Sequence, residues 1–148
     1  MKKKLVITLA LLLAVGCGFG ISAMITPKAP SQYNIGIDYN DAVKSEKPML
    51  IVFYVDWCGY CLKFMPKFNI LNKLYADKFN FVMLNVEASE YNKMLAKRVG
   101  IAGYPTVYIL DPKYDNKVLM PNSIYQDLGA FRVELDRYLR IRSLLDSK

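Results

Sequence analysis

Apolar residues along the chain fall into alternating patterns of strand and helix. Pro48 to Val55 is an unbroken apolar run rich in β-branched and aromatic residues, which is typical of a buried strand. Leu62 to Ala76 instead places apolar residues three and four apart, which predicts a helix that continues to about Lys78. Pro66 lies inside this helix, where its ring is expected to kink the backbone. A buried strand that leads into a long helix is therefore the central prediction.

The same patterns predict the other elements of an α/β domain. Ser89 and Gly100 are suited to begin and end one helix, and Asp127 to begin the last one, because such residues cap helix termini. A short helix is predicted within Asp38–Lys47, and strands at Phe79–Val86, Tyr104–Leu110 and Lys117–Met120, with a turn between Asp111-Pro112 and Asp115-Asn116. The final helix has apolar residues at Leu128, Phe131, Leu135, Leu139 and Leu145. The order β-α-β-α-β-β-α, with a helical crossover, predicts an α/β fold with a mixed sheet.

The first 25 residues have the pattern of a targeting segment. Lys2 to Lys4 precede Leu5 to Ile25, a run of 21 uncharged residues. At about 1.5 Å per residue this run spans a hydrocarbon core of roughly 30 Å, which favours a retained signal-anchor. Ala14-Val15-Gly16-Cys17 resembles a bacterial lipoprotein cleavage box, which would lipidate Cys17, and Ser22-Ala23 would suit ordinary signal-peptide cleavage. All three alternatives remain open at this point.

Each alternative exports the domain that follows. Basic residues ahead of an apolar run hold the N-terminus in the cytoplasm, so the rest of the chain is expected on the other side of the membrane. We therefore predict a signal-anchor or signal peptide at 1–25, a Pro-rich linker at 26–34 and the folded domain at 35–148. The expected location is the periplasmic face of a bacterial inner membrane, with a lipoprotein or a secreted protein as alternatives.

Composition excludes several classes of function. With 53% hydrophobic and 22% charged residues, the chain is neither disordered nor fibrous. Without its first 25 residues the chain has 17 basic and 13 acidic side chains, a net charge of +4, and no clustered basic patch, so no nucleic-acid partner is expected. The chain has no histidine, which excludes histidine-activated nucleophiles, and only three cysteines, which leaves a zinc site short of ligands.

Two cysteines lie where the first strand gives way to the first long helix, in the sequence Trp57-Cys58-Gly59-Tyr60-Cys61. Cys58 would lie at the helix N-terminus, where unpaired N–H groups and the helix dipole stabilise an anion. A thiolate is the nucleophile of thiol chemistry, and Cys61, one turn further on, can attack a mixed disulfide formed on Cys58. The pair predicts thiol–disulfide exchange; a structural disulfide or half of a zinc site is the alternative.

From about Ile35 to Leu145 the chain resembles the thioredoxin superfamily. The resemblance rests on residues 57–61, on Pro66 five residues after the second cysteine, and on Gly103-Tyr104-Pro105-Thr106 about 44 residues further on. Residues 47–61 are most similar to membrane-linked, extracytoplasmic thioredoxin-like domains. The resemblance implies a thioredoxin-like fold and a redox-active disulfide between Cys58 and Cys61, with no other cofactor.

The resemblance also implies roles for residues around the pair. The Tyr104–Pro105 bond would be cis and would pack against the two cysteines, and the backbone before the proline would pair with a substrate strand. Active-site support is implied for Trp57, Gly59, Tyr60 and Pro105, and substrate binding for Tyr104, Pro105 and Thr106. The implied partners are protein thiols and disulfides and a redox partner protein, with the chain itself a monomer.

Two positions depart from the family's pattern. Many cytoplasmic thioredoxins carry a buried acid six residues before the first cysteine, but this chain has Val52 there, and Met83 replaces its lysine partner. The buried proton relay to Cys61 is thus missing. Asp56, Glu87 or water would have to substitute for it.

The direction of the reaction remains open at the level of sequence. Gly59-Tyr60 is the dipeptide of periplasmic disulfide isomerases and lacks the histidine common in strong oxidants, which favours the reductase or isomerase direction. The alternative is a redox-idle binding module, or a chaperone that holds copper or a maturation factor near Tyr104 and Pro105.

Overall fold

A computed structural model describes residues 27–147, which form a four-stranded sheet flanked by helices. The strands are β1 (Met49–Tyr54), β2 (Asn80–Asn85), β3 (Thr106–Asp111) and β4 (Asn116–Met120). The helices are α1 (Tyr39–Val43), α2 (Gly59–Tyr75), α3 (Glu90–Val99), α4 (Asn122–Tyr125) and α5 (Leu128–Asp146), with 3₁₀ turns at Pro30–Gln32 and Pro112–Tyr114. The predicted targeting segment and Cys17 lie outside the described residues. Within 27–147, no helix combines the length and apolar character needed to cross a membrane.

The sheet is mixed and has the strand order β2-β1-β3-β4. β1 and β2 are parallel and are joined by the crossover helix α2, whereas β3 pairs antiparallel with both β1 and β4. This confirms the predicted α/β architecture, including β4 as the returning edge strand. All six residues of β1 are buried, which explains why its sequence is continuously apolar instead of alternating.

The core on one face of the sheet is built from aromatic side chains. Phe68 of α2 meets Phe81 of β2 with ring centroids 5.1 Å apart, and Phe64 stacks on Phe131 of α5 at 6.4 Å. Leu135 of α5 is also fully buried. Leu145, the last of the apolar positions named for this helix, is 44% exposed.

Helix ends follow the predicted capping residues. The Ser89 side chain accepts a 3.1 Å hydrogen bond from the Asn92 N–H, and Gly100 ends α3 with a left-handed φ of 85° that favours glycine. α2 begins at Gly59, three residues earlier than its apolar spacing indicates, and continues through Pro66 to Tyr75. α4 was not predicted, because four residues after a proline carry no helical period.

The chain ahead of β1 packs on the domain close to the cysteine motif. Pro30 is buried, and the Ser31 N–H donates a 2.8 Å hydrogen bond to Asp56 Oδ1. Gly36 follows with a φ of +77°, and a Cβ built there would lie 1.9 Å from the carbonyl oxygen of Phe81. Contacts with the domain therefore begin at Pro30, inside the segment 26–34 that the sequence marks as a linker.

Candidate active site

Cys58 is the N-cap of α2, and Cys61 lies one turn inside the helix. The Cys58 Sγ accepts a 3.2 Å hydrogen bond from the Cys61 N–H, one of the backbone donors that a helix leaves without a partner in its own first turn. Both cysteines are free thiols in the structure. The sulfur that the sequence predicts to be the nucleophile therefore lies at the positive end of a helix of 17 residues.

The two thiols differ in their surroundings. Cys61 is fully buried, whereas Cys58 keeps 6% of its surface exposed. Burial, together with the hydrogen bond to Cys58 and the charge of that residue, raises the pKa of the Cys61 thiol to about 12. Cys61 therefore stays protonated at neutral pH and must lose its proton in order to act as a nucleophile.

The loop before β3 lies directly against Cys58. The Tyr104–Pro105 peptide bond is cis, and the Cys58 thiol donates a 3.4 Å hydrogen bond to the carbonyl oxygen of Tyr104. Thr106 Oγ1 donates to the carbonyl oxygen of Gly103 at 2.7 Å and so closes the loop. Within residues 27–147, no hydrogen bond engages the Tyr104 N–H. The loop thus presents a main-chain donor beside the sulfur.

Tyr125 of α4 is a residue of the site that the sequence did not reveal. Its buried hydroxyl donates a 3.0 Å hydrogen bond to the carbonyl oxygen of Pro105. Burial raises the pKa of Tyr125, and the nearby Cys61 and Cys58 raise it further. No sequence signal would have singled out this tyrosine among eleven, because its role depends on where α4 meets the loop.

Two exposed aromatic side chains form the rim of the site. Trp57 is 71% exposed, its indole N–H donates a 3.0 Å hydrogen bond to Glu87 Oε2, and its ring meets that of Tyr104 edge to face at 6.4 Å. Tyr60 is 68% exposed. Gly59, between the cysteines, has no neighbour within 4 Å of a Cβ built on it, so local packing does not require glycine there.

The acidic residues considered for a proton relay bond to groups other than Cys61. Val52 lies directly opposite Met83 in the parallel register of β1 and β2. Asp56 is half-buried and accepts hydrogen bonds from the Ser31 N–H at 2.8 Å and from Asn85 Nδ2 at 3.3 Å. Within the described residues, neither Asp56 nor Glu87 forms a hydrogen bond with Cys61. The same part of the chain holds no cluster of three metal-ligating side chains.

Comparison with known proteins matches this chain to one protein family and to many related sequences. The sequence profile of the thioredoxin family matches residues 32–123. The thioredoxin-like protein HCF164 of Arabidopsis thaliana chloroplasts is 34% identical over 104 residues, which are 70% of this chain and 37% of that protein. Protein disulfide-isomerase A4 of Homo sapiens is 32% identical over 91 residues, 61% of this chain and 14% of that protein. The chain thus spans well under half the length of these relatives.

Solved structures show the same fold at low sequence identity. The J-Trx1 fragment of ERdj5 superposes with a TM-score of 0.59 at 18% identity, over 69% of this chain and 46% of that one. The germline-specific thioredoxin Deadhead of Drosophila melanogaster gives a TM-score of 0.55 at 19% identity, over 66% of this chain and 90% of that one. At these identities the likeness concerns the fold alone.

Proposed function

Because the chain belongs to the thioredoxin family, we propose that it is an extracytoplasmic thiol–disulfide oxidoreductase that reduces or isomerises disulfide bonds of client proteins. The observation that carries the proposal is the position of Cys58. Its sulfur caps a helix, accepts a hydrogen bond from the Cys61 N–H and lies within hydrogen-bond distance of the Tyr104 carbonyl oxygen. A structural disulfide would not need a main-chain donor aimed at one sulfur, nor a loop with an unused N–H beside it.

The reaction follows from the difference between the two thiols. The Cys58 thiolate attacks one sulfur of a client disulfide, forms a mixed disulfide and releases the other client sulfur as a thiolate. Cys61 then loses its proton and attacks the Cys58 sulfur, which releases the second client thiolate and leaves a Cys58–Cys61 disulfide. Two electrons pass to the client in this way, and a dithiol redox partner must return them. The pair carries the electrons itself, so the step needs no further cofactor.

Client binding is proposed to use the main chain of the loop before β3. The Tyr104 N–H has no acceptor within residues 27–147, and the carbonyl oxygen of the same residue contacts the Cys58 sulfur. An extended client segment that pairs with this backbone would bring its own cysteine to the nucleophile, and such pairing depends little on the client's side chains. This arrangement favours a broad range of protein substrates.

The reductase or isomerase direction is proposed from the residues between the cysteines. Gly59-Tyr60 places no histidine next to Cys58, and several relatives are named protein disulfide-isomerases. Thiol–disulfide pairs range from about −270 mV in thioredoxin to about −120 mV in a strong oxidant. A reduction potential of the Cys58–Cys61 pair close to the second value would overturn this part of the proposal.

The extracytoplasmic location is proposed from the first 25 residues. They would act as a single-pass anchor or signal peptide, with 26–34 as the connection to the domain. The intact mass of the protein recovered from the membrane and soluble fractions separates a retained anchor from lipidation of Cys17 and from cleavage after Ala23. Labelling of Cys58 in intact cells by a membrane-impermeant maleimide would support export, and protection of Cys58 until the cells are lysed would argue against it.

The activity itself is tested with three cysteine variants of the full chain. Insulin reduction by a dithiol should be accelerated by the wild-type protein and by Cys17→Ser, and lost in Cys58→Ser. Cys61→Ser should instead accumulate mixed disulfides with clients, because the attacking sulfur remains and the resolving one is gone. Turnover that survives in Cys58→Ser, or a wild-type protein that exchanges no disulfide, would favour the redox-idle binding module.

A further inference from the structure

We propose that a groove beside the thiol pair selects client segments that carry acidic side chains two to four residues from the reacting cysteine. The inference rests on the proposed function, since it names the class of substrate that the same site prefers. It is carried by the shape of the groove, by the position of two lysines along it, and by the lack of acidic groups in its wall.

The groove lies between the first turns of α2 and helix α4, and it encloses about 590 Å³. It opens next to the cysteine pair, because Tyr104 and Pro105 belong to its wall. Its buried lining is formed by Phe64, Pro105 and Tyr125, and its remaining lining residues are Tyr60, Lys63, Lys67, Tyr104, Asn122 and Gln126. A wall that is apolar in its depth and polar at its edge suits a peptide segment with alternating side chains.

The charge along this groove has one sign. Lys63 and Lys67 stand one helical turn apart on α2, and no residue lining the groove in the described part of the chain is acidic. Neither lysine forms an ion pair within residues 27–147, in contrast to Lys93, which binds Glu90 at 2.7 Å.

The hydrogen bonds at the edge of the groove do not neutralise the ammonium groups of Lys63 and Lys67. Lys67 Nζ donates to the backbone carbonyl of Gln126, which holds the ammonium group at the edge without neutralising it. The side chains of Gln126 and Asn122 bond to each other at 2.6 Å. A client carboxylate would therefore meet two cations and no competing anion.

The distance from the sulfur sets the position of the acidic residues in the client. Lys63 and Lys67 lie five and nine positions after Cys58, which corresponds to about 7.5 and 13.5 Å along the helix axis at about 1.5 Å per residue. An extended client chain advances about 3.3 Å per residue, so these distances span roughly two to four client residues. Because the groove runs in one direction from the thiols, the preference should apply to one side of the client cysteine.

The test compares peptides that differ only in charge. Each peptide contains one cysteine as a mixed disulfide with 2-thiopyridine and carries two Glu, two Gln or two Lys at the second and fourth positions before or after that cysteine. The reduced full chain in a non-ionic detergent attacks them, and the released thiopyridone gives a second-order rate constant. On one side of the cysteine we expect the Glu peptide to react roughly three- to tenfold faster than the Gln peptide, and the Lys peptide to react more slowly.

Lysine variants connect the preference to the groove. The double variant Lys63→Gln and Lys67→Gln should bring the Glu-to-Gln ratio of rate constants to within about twofold of one, and Lys63→Glu with Lys67→Glu should invert it. Lys73→Gln is the matched control, because Lys73 is an exposed lysine of the same helix that does not line the groove. The ratio of two peptides removes any change in the general reactivity of Cys58.

The peptide experiment distinguishes a failure of the proposed function from a failure of this inference. If all peptides react at the rate of an ordinary thiol, the proposed function fails. If the wild-type protein reacts fast but without regard to charge, or with the same preference on both sides of the cysteine, or if the preference survives in the double glutamine variant, the groove does not select acidic clients and only this inference falls.

Discussion

The hydroxyl of Tyr125 donates a buried 3.0 Å hydrogen bond to the carbonyl oxygen of Pro105, and so ties α4 to the loop that touches Cys58. Tyr125→Phe keeps the ring but leaves that buried carbonyl without its donor, which should destabilise the fold by about 1–2 kcal/mol. Exchange with peptide disulfides should slow more than exchange with a small disulfide, since the substitution loosens the loop that is proposed to bind the client. Urea unfolding and stopped-flow kinetics measure the two effects.

Tyr91→Phe is the control for this prediction. Tyr91 is exposed, and its hydroxyl forms a 3.3 Å hydrogen bond to Asn40, so its loss should change the free energy of unfolding by less than about 0.5 kcal/mol. If Tyr125→Phe behaves like Tyr91→Phe in both measurements, the hydrogen bond to Pro105 does not position the loop.

The two thiols should differ sharply in their reaction with alkylating agents. At pH 7, iodoacetamide should label Cys58 in the reduced wild-type protein and in Cys61→Ser. In Cys58→Ser the buried Cys61, whose pKa is still raised by burial, should react at least about a hundredfold more slowly than an exposed thiol. Mass spectrometry of tryptic peptides assigns the label. Equal labelling of both cysteines in folded protein would contradict the roles proposed for them.

Cys61 also makes the stability of the reduced protein depend on pH. Its pKa is about 12 in the folded protein and about 8.5 in an unfolded chain, so the folded state holds the proton more tightly. The stabilisation is complete below pH 8.5 and is lost as the pH rises towards 12. Between pH 8.5 and 10 the free energy of unfolding should fall by about 1–2 kcal/mol more in the wild-type protein than in Cys61→Ala.

Urea unfolding in the presence of a reductant measures this difference. The comparison stops at about pH 10 because Tyr54, whose pKa burial raises to about 12, adds a similar loss at higher pH. If the wild-type protein and Cys61→Ala lose stability in parallel over this range, the Cys61 thiol is not held in its protonated form by the fold.

The fold could be predicted from sequence where local pattern and tertiary burial agree. Strand β1 falls where the apolar run places it. Helix α2 covers the predicted helical period but begins earlier, at Gly59, because the Cys58 side chain can reach the Cys61 N–H and cap it. Apolar spacing marks a face of α5 but does not say how far the core extends along it: Leu135 is fully buried, whereas Leu145 is 44% exposed.

The site could be predicted only in part, for a similar reason. Cys58, Cys61 and Pro105 were recognisable from the motifs that contain them. Tyr125 and the bond from Trp57 to Glu87 arise from residues that are far apart in sequence and that share no pattern. Contacts of this kind depend on where loops and short helices come to lie, which a single sequence does not encode locally.

Two glycines should respond in opposite ways to the same substitution. A Cβ at Gly36 would overlap the Phe81 carbonyl oxygen at 1.9 Å and would require a left-handed backbone, so Gly36→Ala should cost roughly 2–4 kcal/mol. Gly59→Ala meets no neighbour within 4 Å at the first position of α2 and should be neutral or stabilising by up to about 1 kcal/mol. Thermal unfolding of both variants provides the comparison, and a Gly36→Ala protein as stable as the wild type would show that the β2 backbone can move aside.

A buried ion pair at the far end of β3 should control stability without affecting exchange. Asp111 is 1% exposed, and its Oδ2 accepts hydrogen bonds from Arg142 Nε at 2.7 Å and from the Tyr138 hydroxyl at 2.9 Å. Asp111→Asn removes the buried carboxylate and leaves Arg142 with Asp146, 3.0 Å from its Nη1, as its remaining anionic partner, so it should cost about 2–3 kcal/mol. Glu90→Gln, which breaks the exposed pair with Lys93, should cost less than about 1 kcal/mol.

The rate of disulfide exchange is the second property to measure in Asp111→Asn. Asp111 ends β3, whereas Pro105 immediately precedes its first residue, so the strand separates the ion pair from the thiols by its whole length of 6 residues. Folded Asp111→Asn, measured well below its unfolding temperature, should exchange peptide disulfides at the wild-type rate. A loss of exchange in protein that remains folded would mean that the ion pair holds β3 in the register that the Tyr104–Pro105 loop needs, and that the two ends of the strand are coupled.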